Sequence, residues 1–253
     1  NVYYHVFAGS CLGSVMCRRG KFKEAKDFSR QLLSLAIENG IEQTGIVGSL
    51  YGNLGTILCE WNDFDEGLRL INKGIELSEL GRDPVIIASC QLGLLRALMY
   101  RMDFAGAFKL MENINERAGH FALPPWITNT ISALNVFFWL GSGNLNAALQ
   151  WAQERGLSID DIPDGSHEVE YLALAHILIA QNKLDEADRL LQRLVENAKA
   201  GDRIYMMIEM RLMRALIFKA KQDTAAALAE LRLALSLAEP GGLIMILVSK
   251  GKP

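Results

Sequence analysis

Histidine and cysteine side chains are the residues of this sequence best suited to metal binding or nucleophilic catalysis, and their spacing supports neither. The histidines, His5, His120, His167 and His176, form no H-x-x-x-H pair, and the four cysteines form no C-x-x-C pair. Zinc sites need such spacing. The sequence also lacks the G-x-x-x-x-G-K-S/T phosphate loop and the G-x-S-x-G nucleophile turn. We therefore expect no enzyme activity, no metal and no cofactor in this chain.

An acidic stretch at Asp160, Asp161 and Asp164 is a further candidate for a cation site. Calcium prefers carboxylate oxygens, but a calcium loop alternates its ligands strictly, and Pro163 interrupts that alternation here. The stretch is better explained as a turn in which Ser166 caps the helix that follows.

The elements that would position any functional side chain are helices, because one helical pattern occurs six times. An anchor, which is apolar in five copies and Thr224 in the last, is followed three positions later by a small residue, and usually by an apolar residue three positions after that. This spacing places one stripe along a helix, where the small residue lets a neighbouring helix approach closely. Glu230 replaces the second apolar residue in the last copy. The small residues are Ala25, Gly67, Ala107, Ala148, Ala187 and Ala227, which gives a period of about 40 residues.

The residues around each small position predict a helical hairpin. Four positions before it, four of the six copies have a good N-cap, namely Asp63, Asp103, Asn144 and Asp223. Twelve positions before it, a second column marks the crossing point on a first helix; its members are Gly13, Gly55, Leu95, Val136, Ala175 and Ala215. A hairpin cannot bury its apolar face alone, whereas stacked hairpins share a continuous core.

The fold predicted from this pattern is an all-α solenoid, a superhelix of about six hairpins in a single repeat domain spanning residues 1–253. The predicted repeats are 1–40, 41–81, 82–119, 120–158, 159–200 and 201–240. Longer connectors at 119–126 and 156–166 predict a bend or irregular packing near the fourth repeat.

The concave side of such a solenoid is lined by first helices and commonly binds a ligand or peptide. Charged and aromatic residues predicted to lie near that side are Arg18, Glu60, Arg96, Tyr100, Phe137, His176 and Lys219. As a set they suit a small polar ligand. The alternative for each one is an ordinary solvated or core position, above all for Phe137 and His176.

Composition excludes several other classes of protein. A net charge of −3 without a Lys/Arg cluster argues against direct contact with nucleic acid. No apolar run approaches the roughly 20 residues that span a bilayer, so no membrane association is expected. Four cysteines in 253 residues form no disulfide framework, which favours a reducing cytoplasm. Because the sequence opens at Asn1, inside an apolar-periodic stretch, we expect a fragment of a longer protein.

Two segments resemble a known family. Residues 60–77, EWNDFDEGLRLINKGIEL, and residues 223–242, DTAAALAELRLALSLAEPGG, are similar to the TPR-like central region of large LuxR-type bacterial regulators related to MalT. The Trp61-Asn62-Asp63 turn is the most specific part. Residues 243–253, LIMILVSKGKP, depart from the acidic, aromatic character usual after the Pro-Gly turn.

The resemblance implies a TPR-like superhelix between an N-terminal ATPase module, which would bind ATP, and a C-terminal helix-turn-helix module. It implies an effector-sensing and oligomerisation domain in signal transduction and transcription regulation. Its partners would be a small-molecule inducer or a protein or peptide, other domains of the same protein, and a second copy through self-association. The alternative is a general TPR scaffold that binds a protein or peptide partner.

Overall fold

A computed structural model describes residues 1–161, 165 and 167–249, and within these residues it contains thirteen helices and no strand. The helices are α1 (Val2–Arg18), α2 (Phe22–Glu38), α3 (Gly45–Glu60), α4 (Phe64–Leu80), α5 (Pro84–Tyr100), α6 (Phe104–Ala118), α7 (Pro125–Gly141), α8 (Leu145–Glu154), α9 (Glu168–Ala180), α10 (Leu184–Ala200), α11 (Ile204–Ala220), α12 (Thr224–Ala238) and α13 (Met245–Val248). The predicted all-α class is confirmed. No helix in the described part is long and apolar enough to cross a membrane.

The chain divides into two compact units. Unit 1 comprises Asn1–Leu123 together with the chain from Ala238 onward, and unit 2 comprises Pro124–Leu237. Hairpins α1–α2, α3–α4 and α5–α6 belong to unit 1, and the three later hairpins form unit 2. The boundary between Leu123 and Pro124 lies in the long connector 119–126, one of the two places for which the sequence predicts irregular packing.

Each second helix begins at its predicted anchor, because the same turn precedes every one of them. The residue before the N-cap has a positive φ in all six turns; these residues are Gly20, Asn62, Met102, Gly143, Asn182 and Gln222. Glycine and asparagine tolerate this left-handed conformation best. In the Trp61-Asn62-Asp63 turn, Asn62 therefore reverses the chain and Asp63 occupies the N-cap.

Three of the four predicted N-caps make the expected hydrogen bond. The Oδ1 atoms of Asp103, Asn144 and Asp223 accept from backbone N–H groups three residues later, at 2.9, 3.2 and 3.0 Å. Asp63 also occupies its predicted N-cap position, but its side chain makes no capping hydrogen bond. The position follows from the repeat, whereas the bond depends on the rotamer of the side chain.

The Asp103→Ala variant is expected to lower the free energy of unfolding by about 1 kcal/mol, because the backbone N–H of Gly106 loses its acceptor. Asp63→Ala removes no such bond and is expected to cost clearly less. Urea denaturation followed by circular dichroism measures both. Equal losses in the two variants would show that the cap bond contributes nothing measurable.

Glycines let α3 and α4 pack backbone against backbone. A Cβ atom on Gly55 would lie 2.4 Å from the carbonyl oxygen of Gly67, and one on Gly67 would lie 2.9 Å from the carbonyl oxygen of Gly55. The same holds further along the pair, where a Cβ on Gly74 would lie 2.7 Å from the oxygen of Gly48. The predicted crossing of the two small columns is confirmed here. The Gly48, Gly52 and Gly55 series on α3 is therefore a packing surface.

The four cysteines are free thiols. Cys59 and Cys90 are buried between helices of unit 1, and this burial raises the pKa of each thiol to about 12.

Candidate binding site

The predicted site residues of unit 1 meet where the first helices α1, α3 and α5 end. Glu60, the last residue of α3, is only 1% exposed. Its Oε2 accepts a hydrogen bond from the hydroxyl of Tyr100, the last residue of α5, at 2.7 Å. Arg18 is exposed at the end of α1. The structure therefore brings residues of three consecutive repeats to one end of the unit 1 helices.

Cys17 on α1 lies within electrostatic range of both Arg96 and Glu60. Burial raises the pKa of its thiol to about 12, the positive charge of Arg96 lowers the pKa, and the negative charge of Glu60 raises it. Both charges therefore act on the same thiol, although they come from α5 and α3. Arg96 is itself exposed, whereas Glu60 is buried.

Residues 239–249, which we call the C-terminal segment, complete this site. The backbone N–H of Ile246 donates to Glu60 Oε1 at 2.8 Å, and the backbone N–H of Ile244 donates to the carbonyl oxygen of Glu60 at 3.3 Å. Leu243, Met245 and Ile246 are buried. The buried Glu60 carboxyl group thus has hydrogen-bond donors from α5 and from the C-terminal segment.

Trp61 fixes the start of the C-terminal segment. Its Nε1 donates to the carbonyl oxygen of Gly241 at 3.0 Å, and Lys26 Nζ lies 5.0 Å from the centroid of the indole ring. A Cβ on Gly241 would lie 2.4 Å from the carbonyl oxygen of Gly20, so only glycine fits at this contact. The EWND and AEPGG motifs therefore contact each other, although 180 residues separate Trp61 from Gly241.

The predicted site residues of unit 2 are arranged differently. The rings of Phe137 and His176 contact each other edge to face, with centroids 4.5 Å apart, and both side chains are half-buried. This geometry favours the packing alternative for the pair. Lys219 is exposed near the end of α11, as a solvated lysine would be.

The acidic stretch before α9 is a structured turn in its described part. The Arg193 guanidinium donates to the carbonyl oxygens of Ile159, Asp160 and Asp161 at 2.5, 2.6 and 2.9 Å. The hydroxyl of Tyr171 donates to Asp161 Oδ2 at 2.7 Å and lowers the pKa of that carboxyl. Asp164 and the predicted cap Ser166 lie outside the described residues.

Sequence reasoning selected Glu60, Arg96 and Tyr100 from their places on first helices, but it did not include the C-terminal segment in the candidate site. The two motifs that carry the family resemblance could have indicated this contact. Trp61 and the Gly241-Gly242 step are specific features in an otherwise degenerate repeat.

These features define an array of TPR-like helical hairpins. The fold is similar to that of BtubC (BKLC) from P. vanneervenii, with a TM-score of 0.52 at 14% identity, covering 88% of this chain and 90% of that one. It is also similar to the apo form of the quorum sensor NprR from B. thuringiensis, with a TM-score of 0.56 at 14% identity, covering 94% and 77%. Likeness at this identity shows the fold alone.

Residues 1–253 match the family described as the MalT-like TPR region, and the chain belongs to that family. The suspected MalT-type resemblance is thereby confirmed. No curated protein matches the sequence.

Proposed function

We propose that this chain is the effector-sensing and protein-interaction domain of a LuxR/MalT-like bacterial transcription regulator in the cytoplasm. The observation that carries the proposal is the position of Glu60, which bonds both to Tyr100 and to the C-terminal segment. A ligand that contacts Tyr100 changes a bond of the same carboxylate that holds the C-terminal segment. Ligand binding and the position of the C-terminal segment are then linked.

The link works only if the effector distinguishes two states of the C-terminal segment, docked and released. A hundredfold shift between these states needs a difference in binding free energy of about 2.7 kcal/mol. One or two hydrogen bonds to charged groups supply that amount. Arg96 and Arg18 favour an effector with anionic or hydroxyl groups, because guanidinium groups only donate hydrogen bonds.

In this proposal the chain binds and transmits, and does not catalyse. ATP belongs to a separate module, as the family resemblance implies, and this domain holds no cofactor. It contacts other domains of the same regulator and a second copy, but neither DNA nor a membrane. The likeness to NprR, which is described as a quorum sensor, supports a sensing role for such an array.

The test is a thermal-shift screen of the protein against sugars, amino acids, nucleotides and short peptides. A ligand present at 100 times its Kd stabilises the folded state by about 2.7 kcal/mol, which raises the melting temperature. We expect a positive compound to lose its effect in Tyr100→Phe and Arg96→Gln, which alter the proposed site. Arg69→Gln is the matched control, because Arg69 pairs on the surface of α4 with Glu66.

A temperature shift that survives unchanged in both site variants would place the effector elsewhere. If every compound class leaves the melting temperature unchanged, the sensing proposal fails. The alternative, a scaffold that binds a protein or peptide, is favoured by one observation: unit 1 already binds its own C-terminal segment through main-chain atoms. A shift with short peptides alone would select this alternative.

A further inference from the structure

Unit 1 binds the C-terminal segment in the way that a peptide-binding domain binds a peptide. Hydrogen bonds at residues 241, 244 and 246 each engage a main-chain atom of the segment. Main-chain bonds provide affinity whatever the side chains are, and the buried side chains provide selectivity. We call the surface formed by Gly20, Glu60, Trp61 and Tyr100 the segment groove.

The segment groove selects its occupant by shape. Because a Cβ on Gly241 would lie 2.4 Å from the carbonyl oxygen of Gly20, the first bound residue must be glycine. The buried side chains of Leu243, Met245 and Ile246 then follow, whereas Ile244 and Val248 are exposed. An occupant therefore needs a glycine with apolar residues two, four and five positions after it, as Leu243, Met245 and Ile246 follow Gly241.

The segment has little structure of its own to hold it in place. It contains Pro240 near its start, and Gly242 turns the chain with a φ of +65°. Its only helix, α13, has four residues, Met245–Val248. A glycine turn beside a short docked element acts as a hinge, and such elements exchange between identical chains at low cost.

We propose that the C-terminal segment of a second copy occupies the segment groove in place of the chain's own segment, so that two chains associate by reciprocal exchange. The second copy is the occupant that the structure supports, because it presents the same glycine, the same main-chain donors and the same buried side chains. Each bond of the closed chain is made again between chains, and protein concentration decides between the two forms.

This inference gives a structural basis for the self-association named in the proposed function. It depends on self-association and not on effector sensing. Its experiment uses no effector, so its failure leaves effector sensing to be decided by the thermal-shift screen. Conversely, if segments exchange between chains but no compound shifts the melting temperature, self-association is supported and effector sensing is not.

The first arm of the experiment tests whether the groove accepts a segment from outside. The probe is a fluorescently labelled peptide of residues 239–249, EPGGLIMILVS, and fluorescence anisotropy measures its binding. The protein is the Gly241→Val variant, whose own segment cannot dock against Gly20. We expect saturable binding to this variant, and binding roughly tenfold weaker when Trp61→Phe removes the indole donor as well. The matched control is the same peptide with Gly241→Val, which should not bind.

The second arm tests exchange between whole chains by size-exclusion chromatography with light scattering after refolding at high concentration. We expect the unaltered protein to form a dimer. The Gly241→Val variant by itself should form much less dimer, and so should the Glu60→Gln/Trp61→Phe double variant by itself. Mixing these two variants should restore a heterodimer, because one supplies an intact groove and the other an intact segment. Circular dichroism of each variant verifies that its helices are intact.

Failure of the peptide to bind the Gly241→Val protein would overturn the proposal. It would also be overturned if the peptide binds but the unaltered chain stays monomeric, since the segment would then be an intramolecular clasp. Dimers that form equally in every variant would place the interface elsewhere and overturn it too.

Discussion

Replacing Gly55 with valine is expected to lower the free energy of unfolding by about 3 kcal/mol, a large effect for a residue with no side chain. The first added carbon would lie 2.4 Å from the carbonyl oxygen of Gly67 and 2.8 Å from the backbone nitrogen of Ile71. Neither atom belongs to a side chain that could rotate away. Helices α3 and α4 must therefore separate, and the buried contacts between them are lost along their whole length.

Gly119→Ala is the matched control within the same unit. Gly119 caps α6 with a φ of −68°, and an added Cβ would meet its nearest atom at an ordinary 3.5 Å. We expect a change of no more than about 0.5 kcal/mol, because this backbone conformation suits alanine. Urea denaturation followed by circular dichroism measures both variants. Similar stability of the two variants would mean that α3 and α4 do not pack as closely as described.

Glu230→Ala is expected to cost about 3 kcal/mol, because it leaves two half-buried arginines without their shared carboxylate. Glu230 is 8% exposed, and its two oxygens accept from Arg211 Nη1 at 2.8 Å and Arg214 Nη1 at 2.5 Å. The arginine side chains are only 16% and 13% exposed. Arg214 also donates to Asp188 at 2.7 Å, so the charges of α10, α11 and α12 form one network.

Two further variants separate the charge of Glu230 from its hydrogen bonding. Glu230→Gln keeps an acceptor without the charge and should lose less stability than Glu230→Ala. Glu66→Ala breaks the exposed pair between Glu66 and Arg69 and should cost clearly less stability than Glu230→Ala, since water screens such pairs. Thermal and urea unfolding of the three variants gives the comparison. A loss in Glu230→Ala no greater than that in Glu66→Ala would contradict a structural role for the network.

Glu230 also shows where the repeat pattern stops being informative. Its column is apolar in the other five copies, so the sequence marks it only as an exception. The physical reason lies on another helix, because two residues of α11 supply the positive charges that make a carboxylate stable there. A pattern with a period of about 40 residues describes only what the copies share. The ion pairs of Glu230 occur in the last hairpin alone, so the pattern does not predict them.

The glycines of α3 also show that the repeat pattern predicts only some of the helix contacts. The 40-residue period identifies Gly55 and Gly67 as the crossing point of one hairpin, and the structure confirms it. It does not identify the contacts of Gly74 with Gly48, or of Gly81 with Gly45, where a Cβ on Gly81 would lie 2.7 Å from the Cα of Gly45. Those contacts follow from the helix axes, which only the packed pair defines.

The sequence by itself determined the local elements of this protein: an all-α chain, the start of each second helix, and the turns that precede them. These features depend on neighbouring residues, namely caps, left-handed turn residues and apolar spacing, and six copies reinforce the signal. Tertiary structure alone decided the two-unit division, the carboxylate network at Glu230, and the contact of Trp61 and Glu60 with the C-terminal segment. Contacts between residues 180 positions apart depend on the rotation and translation between each hairpin and the next. A periodicity within 40 residues does not specify these quantities.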